Sequence, residues 1–230
     1  MLRDLPFYLP LLFIFTVVLT FVFFLAAIKK NNSNKKVLLI SLLLVTWLAL
    51  HAILGLDGFY TVTGNTPPRF ALSVAPAFLF IIILFLMPSG RKFVDTLSPE
   101  ILTRLHIVRV FVEIILWWLF LEKYIPKIMT FEGRNFDIVA GVTAPFIAYF
   151  GYLKRSLSRM FMLLWNIACL LLLINIIVIA ILSAPFTFQQ FAFDQPNVAV
   201  LYFPFVWLPC FIVPVVLFSH LALIRKLLKH

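Results

Sequence analysis

The chain has 230 residues, of which 63% are hydrophobic and 12% are charged. Soluble domains average roughly half apolar and about a quarter charged residues, so the composition excludes a water-soluble globule of this length. The net charge of +10 does not indicate nucleic acid binding, because Lys and Arg of membrane proteins gather at the cytosolic ends of helices. The composition therefore predicts a polytopic membrane protein, surrounded by membrane lipids and without a nucleic acid partner.

Seven apolar segments follow one another along the chain. Each has about the twenty residues that a helix needs to cross the hydrocarbon core, whereas the strands of a membrane β-barrel alternate over about ten. The segments cover residues 5–28, 37–56, 70–88, 100–121, 136–153, 160–183 and 198–224. Because the linkers are short, the sequence predicts an all-α bundle of seven transmembrane helices that forms a single domain, residues 1–230.

Basic residues are distributed unequally between the two sides of this predicted bundle. The first, third and fifth linkers and the C-terminal tail, together with Arg104, hold thirteen Lys and Arg residues. The other side holds five: Arg3, Arg69, Lys123, Lys127 and Arg134. Short cytosolic loops carry the excess of positive charge, so we expect the N-terminus outside and the C-terminus in the cytosol. The compact chain, with no glycosylation sequon on its outer side, favours a plasma membrane, specifically the bacterial inner membrane.

Local signals mark several segment ends. Ser98, Pro99 and Glu100 are typical of a helix start, with a capping hydroxyl followed by proline and an acid in the first turn. Residues 88–90, Pro-Ser-Gly, indicate the end of the third helix. The seventh segment contains prolines at five-residue intervals, which predict a bent helix: Pro204, Pro209 and Pro214.

The outer linker from Pro185 to Phe193 alternates aromatic and polar residues. Two interpretations fit this pattern. The Phe side chains can anchor the linker at the level of the lipid headgroups, or the alternation can belong to a short β-ribbon lying over the bundle.

The fourth segment carries a polar face inside the predicted membrane. At about 100° per residue, four of its side chains fall within a sector of roughly 80°: His106, Arg109, Glu113 and Trp117. Counted from Arg104, Glu113 lies roughly 13 Å deep, near the centre of a core about 30 Å thick. Charged residues at that depth cost at least about 2.5–3.5 kcal/mol each, so we expect them to face the bundle interior or water.

Two hypotheses account for this face. In the first, Arg109 and Glu113 form an i,i+4 ion pair that neutralises itself and joins the fourth helix to its neighbours. In the second, Glu113, Arg109 and His106 line a ligand site or an ion pathway, to which His220 and Asn166 contribute from the same inner half of the bundle. The free-energy cost of burying charged side chains in the membrane favours the second hypothesis.

Further polar residues fall in the outer half of the bundle. They are more typical of helix caps or interhelical hydrogen bonds than of ligands: His51, Asp57, Asp137 and Asn175. In particular, Asn135 and Asp137 are expected to cap the start of the fifth helix.

Three classes of function remain open. The favoured one is a small transporter or an ion- or proton-coupled carrier with a small-molecule or ion ligand in the bundle, and a carrier would produce flux. A seven-helix receptor or sensor would bind its ligand without flux and signal through a cytosolic partner. An intramembrane metal-dependent hydrolase would hold a stoichiometric metal, but Cys169 and Cys210 lie in apolar runs without metal-ligand spacing. The sequence predicts no metal site and no cofactor.

Overall fold

The computed structural model describes residue 2 and residues 5–229, so Arg3 lies outside the described part. This part is helical and contains no β-strand. Its α-helices are α1 (Tyr8–Lys29), α2 (Asn34–Leu56), α3 (Ala71–Leu86), α4 (Pro88–Thr96), α5 (Pro99–Leu105), α6 (Val108–Leu121), α7 (Ile138–Ala148), α8 (Arg159–Leu182) and α9 (Val213–Lys229). A π-helical turn, Tyr149–Leu153, extends α7, and another, Leu208–Ile212, leads into α9.

Several of these helices are suited to a bilayer. Four stretches in the described part are long and apolar enough to cross a membrane: Tyr8–Lys29, Asn34–Leu56, Arg159–Leu182 and Leu208–Lys229. A fifth results if α3 and α4 together form one span. The described part is therefore all-helical, with several apolar helices that could span a membrane.

The third predicted segment ends differently from the expectation. Residues 88–90 do not end α3, because Met87 is extended and Pro88 begins the separate helix α4. The axes of α3 and α4 meet at 95°. Pro88 suits the first turn of α4 because its missing N–H would have no partner there in any case.

The fourth predicted segment is interrupted. Its start at Pro99 is as expected, although the Ser98 hydroxyl makes no capping bond. The helix then stops at Leu105 and resumes at Val108. Between them, the amides of His106 and Ile107 bond to carbonyls three residues back, which tightens the chain into a short turn. The interruption coincides with the first residue of the predicted polar face.

The seventh predicted segment begins about ten residues too early. Residues 198–207 form a short 3₁₀ turn, Ala199–Leu201, and irregular turns, and the continuous helical stretch starts at Leu208. Pro204 therefore precedes the helix, Pro209 lies in its first turn, and Pro214 lies at the start of α9. Hydropathy could not reveal this because the irregular stretch is itself apolar.

The outer linker Pro185–Phe193 is not a β-ribbon, since it contains turns and no strand. Phe186 is buried, whereas Phe188, Phe191 and Phe193 are exposed. The Phe186 ring packs 5.6 Å from that of Phe70. Phe186 thus packs this linker against the bundle, and the other three Phe side chains of the linker are exposed.

The linkers that hold most basic residues meet at one end of the bundle. Asn31 donates from Nδ2 to the Thr96 carbonyl at 2.8 Å, and Arg225 donates to both carboxylate oxygens of Asp95 at 3.0 and 3.1 Å. Arg159 donates to a backbone carbonyl of α9. We call this the basic end, formed by residues 29–36, 88–98, 154–159 and 225–229, and the other the opposite end.

Candidate functional site

Arg109 is buried in the bundle and pairs with Asp137. Its Nε donates to Oδ2 of Asp137 at 2.6 Å, and its Nη2 donates to Oδ1. Nη2 also donates to the Cys169 carbonyl at 3.1 Å. The i,i+4 ion pair with Glu113, the first of the two hypotheses, is not formed, because the planar guanidinium makes a two-pronged contact with the Asp137 carboxylate instead.

Asp137 comes within reach of Arg109 because the linker between α6 and α7 folds back into the bundle. Met129 and Thr130 of this linker are at most 1% exposed. The amides of Gly133 and Asn135 donate to the Thr130 carbonyl at 2.9 and 3.2 Å, which makes the linker compact. Asp137 does not cap α7 with its side chain, contrary to the expectation, because its carboxylate is committed to Arg109.

A glycine allows α7 to approach α6 closely beside this pair. A Cβ atom on Gly141 would lie 2.7 Å from Cγ2 of Val110 and 2.8 Å from its backbone nitrogen. Gly141 follows Asp137 by four residues, about one helical turn. The close approach therefore brings the start of α7 to the side of α6 that carries Arg109.

Glu113 lies one turn further along α6 and has a neutral partner. Its Oε1 accepts a hydrogen bond from Nδ2 of Asn135 at 2.6 Å, and the same amide group donates to the Met129 carbonyl at 3.0 Å. Oε1 is thereby satisfied, whereas the buried Oε2 has no partner among the described residues. The Asn135 side chain also accepts from the Asp137 amide at 3.1 Å, so the expected capping role of Asn135 is only part of what it does.

His220 of α9 connects Arg109 to Asn166 of α8. Its Nε2 lies 2.9 Å from Nη1 of Arg109, and its Nδ1 lies 3.1 Å from Oδ1 of Asn166. A guanidinium can only donate, so Nε2 accepts and Nδ1–H donates to Asn166. With this bond, four of the five N–H groups of Arg109 are engaged.

His106 stacks on His220 and has no hydrogen bond of its own. The two ring centroids are 3.9 Å apart and the planes differ by 17°. The rings of Trp165 and His106 meet in a T-shaped arrangement, with their centroids 6.0 Å apart. Both ring nitrogens of His106 are buried, and neither has a partner within the described part of the chain.

These contacts form one buried group, with side chains from α6, α8 and α9 and from the segments just before α6 and α7. We call it the polar cluster: His106, Arg109, Glu113, Asn135, Asp137, Asn166 and His220. The structure thus brings together all five residues expected in the pathway, and it adds Asn135 and Asp137. Sequence reasoning noticed both but interpreted them as caps, since nothing in the spacing shows that their linker enters the bundle.

The other polar candidates lie apart from the polar cluster. His51 is buried on α2, where Nδ1 lies 2.5 Å from the Tyr60 hydroxyl. Asn175 is exposed and donates to the Arg134 carbonyl at 2.9 Å. Asp57 is exposed at the end of α2.

Residues 67–228 match a protein family described as a domain of unknown function (DUF8737). The match covers more than half of the chain. The chain belongs to this family. All seven residues of the polar cluster lie within the matched range, whereas α1 and α2 precede it. No curated protein and no solved structure matches the chain.

The polar cluster of this DUF8737 member combines titratable side chains with a buried ion pair. No three His, Cys, Asp or Glu side chains of the described residues are placed to hold a metal. The two histidines stack face to face, which keeps their nitrogens from converging on one point. Glu113 and His106 lie seven residues apart in the chain, on either side of the Arg109–Asp137 pair.

The two stacked histidines should respond differently to replacement by Phe. His220→Phe keeps the stack but leaves Nη1 of Arg109 and Oδ1 of Asn166 unpaired. We therefore expect the free energy of unfolding to fall by about 1–3 kcal/mol for each unpaired group. His106→Phe removes two unpartnered nitrogens, and its free energy of unfolding should stay within about 1 kcal/mol of the wild type. Thermal unfolding in detergent measures both. Equal destabilisation by the two variants would contradict these hydrogen bonds.

Proposed function

We propose that this protein is a small proton-coupled membrane carrier whose coupling site is the polar cluster. One observation carries the proposal: two buried titratable groups with unpartnered atoms, Glu113 and His106, flank an ion pair whose hydrogen bonds are largely satisfied. A bundle that needed only internal adhesion would be packed more cheaply by apolar side chains. Ionisable residues inside membranes typically mark ion pathways and proton relays.

The polar cluster offers separate positions for a proton. Oε2 of Glu113 is buried without a partner among the described residues, and a proton bound there would leave the Asn135 bond to Oε1 intact. His106 lies nearer the basic end, in the turn between α5 and α6. The Arg109–Asp137 pair between them is held by α8 and α9 through Cys169 and His220. In our proposal, a shift of these helices exposes one proton-binding group at a time, which is the requirement for coupling.

The other classes receive less support from this geometry. A metal-dependent hydrolase would need about three protein ligands around one ion, and the polar cluster does not provide them. A sensor would share the buried cluster but would not move protons. Flux therefore separates the carrier from the sensor.

We also propose the finer topology: seven spans, the N-terminus outside and the C-terminus in the cytosol of a plasma membrane, the bacterial inner membrane. In this arrangement α5 and α6 share the fourth span, and the short helical stretch Ile138–Leu153 is the fifth. Its shortness is compatible with a span because the preceding linker is partly buried in the bundle and would supply part of the outer half.

Single cysteines test this topology. In a Cys169→Ala, Cys210→Ala background, Glu132→Cys at the opposite end should react with a membrane-impermeant thiol reagent in intact spheroplasts. Lys36→Cys at the basic end should react only after permeabilisation, because positive charge is retained in the cytosol. The reverse pattern, or labelling of both before permeabilisation, would contradict the proposed orientation.

Proton movement in proteoliposomes tests the proposed function. The interior would carry a pH-sensitive dye, the membrane potential would be clamped with valinomycin and potassium, and gradients of inorganic ions and small organic acids and bases would be applied in turn. The wild type should change the internal pH with at least one of them. Glu113→Gln should reduce the rate at least about tenfold, because the amide cannot take up the proton.

Glu132→Gln is the matched control, because it makes the same change at an exposed glutamate. It should keep the wild-type rate, and His106→Phe should lose flux while folding normally. Proteoliposomes that behave like empty liposomes under every gradient would overturn the carrier, and so would a Glu113→Gln variant as fast as the wild type.

A further inference from the structure

A deep apolar cleft lies on the side of the bundle away from the polar cluster. It has a volume of about 340 Å³ and is walled by α1, α2, α3 and the start of α9. Leu43 and Phe80 line it and are 60% and 57% exposed, so the cleft opens sideways, where the lipid would lie. The side chains that line it are apolar or aromatic throughout.

The cleft exists because α2 is loosely attached to the rest of the bundle. In its 23 residues, the buried ones are His51 and Gly55, both in the half near the opposite end. Gly55 is tight against the chain there, since a Cβ atom would lie 3.3 Å from the Phe203 backbone nitrogen. The half of α2 near the basic end has no buried residue, and the cleft separates it from α3.

The depth of the cleft matches one leaflet of a bilayer. Trp47 lines its inner end and donates from Nε1 to the Cys210 carbonyl at 2.9 Å, which joins α2 to the π-helical turn before α9. From Lys36 at the basic end to Trp47 is eleven residues, about 16 Å along the helix. Half of a hydrocarbon core of about 30 Å is about 15 Å.

The ammonium group of Lys36 lies at the mouth of the cleft and has no acidic partner among the described residues. The Lys36 ammonium lies 4.6 Å from the ring centroid of Phe93, which lines the cleft. Its hydrogen bond goes to the neutral Oδ1 of Asn32 at 3.0 Å, and it forms no ion pair with any described carboxylate. Nearby Lys30 and Arg225, by contrast, are paired with Glu100 and Asp95.

We propose that this cleft binds one anionic phospholipid, with an acyl chain between α2 and α3 and the phosphate at Lys36. The cleft supplies apolar walls one leaflet deep, and Lys36 supplies a charge-assisted hydrogen bond to a phosphate oxygen. An apolar peptide or a second copy of this chain would fill the cleft but would leave the Lys36 charge without a counter-ion. The site shares no residue with the polar cluster, and this proposal does not rest on proton transport.

Native mass spectrometry of the full chain in detergent tests the site. The probes are dioleoyl phosphatidylglycerol and dioleoyl phosphatidylcholine, which have the same acyl chains and differ in net charge. The wild type should bind one phosphatidylglycerol about tenfold more tightly than phosphatidylcholine, because phosphatidylglycerol keeps a net negative charge beside Lys36, whereas the choline ammonium of phosphatidylcholine cancels the charge of its phosphate. Lys36→Glu should abolish this preference.

Two further variants make the test specific. Lys154→Glu makes the same charge change at the basic end but follows α7, away from the helices that wall the cleft, and it should keep the preference. Ala77→Trp fills the cleft and should remove the bound lipid. Equal binding of both lipids by the wild type, an equal effect of Lys36→Glu and Lys154→Glu, or a folded Ala77→Trp that retains the lipid would each overturn the proposal.

Discussion

Arg109 is 98% buried within an apolar bundle, and much of the local architecture depends on satisfying its side chain. A guanidinium in such a place needs a carboxylate and further acceptors, since an uncompensated buried charge costs several kcal/mol. Asp137, the Cys169 carbonyl and His220 supply them from α7, α8 and α9. Three helices that follow α6 in the chain are thereby fixed around one side chain, and the inward folding of the linker before α7 is the way Asp137 reaches it.

The last helix connects the two sites that we propose. His220 on one face of α9 belongs to the polar cluster, whereas Pro214 and Phe218 belong to the apolar cleft. The π-helical turn Leu208–Ile212 before α9 also borders the cleft, and such turns are frequent at functional sites. A lipid in the cleft and a proton in the polar cluster would therefore both contact α9, so a small displacement of α9 would change the geometry of both sites.

The sequence predicted the parts of this fold that depend on hydropathy and missed those that depend on long-range contacts. Unbroken apolar runs place α1, α2 and α8 within a few residues, because the length of such a run is set by the thickness of the bilayer. Helical periodicity predicted that Arg109 and Glu113 lie on one face of α6. The partner of Arg109 did not, because spacing reveals neighbours within one helix, whereas Asp137 is 28 residues away across a folded linker. Whether the chain crosses seven times stays a prediction for the same reason, since the short stretch Ile138–Leu153 relies on that linker.

A double-mutant cycle on Arg109 tests the central claim most directly. The free energy of unfolding in detergent would be measured for Arg109→Gln, Asp137→Asn and Glu113→Gln, and for the doubles Arg109→Gln/Asp137→Asn and Arg109→Gln/Glu113→Gln. We expect a coupling energy of about 2–3 kcal/mol between Arg109 and Asp137, and less than about 0.5 kcal/mol between Arg109 and Glu113. A larger coupling with Glu113 than with Asp137 would restore the local i,i+4 pair and contradict the polar cluster described above.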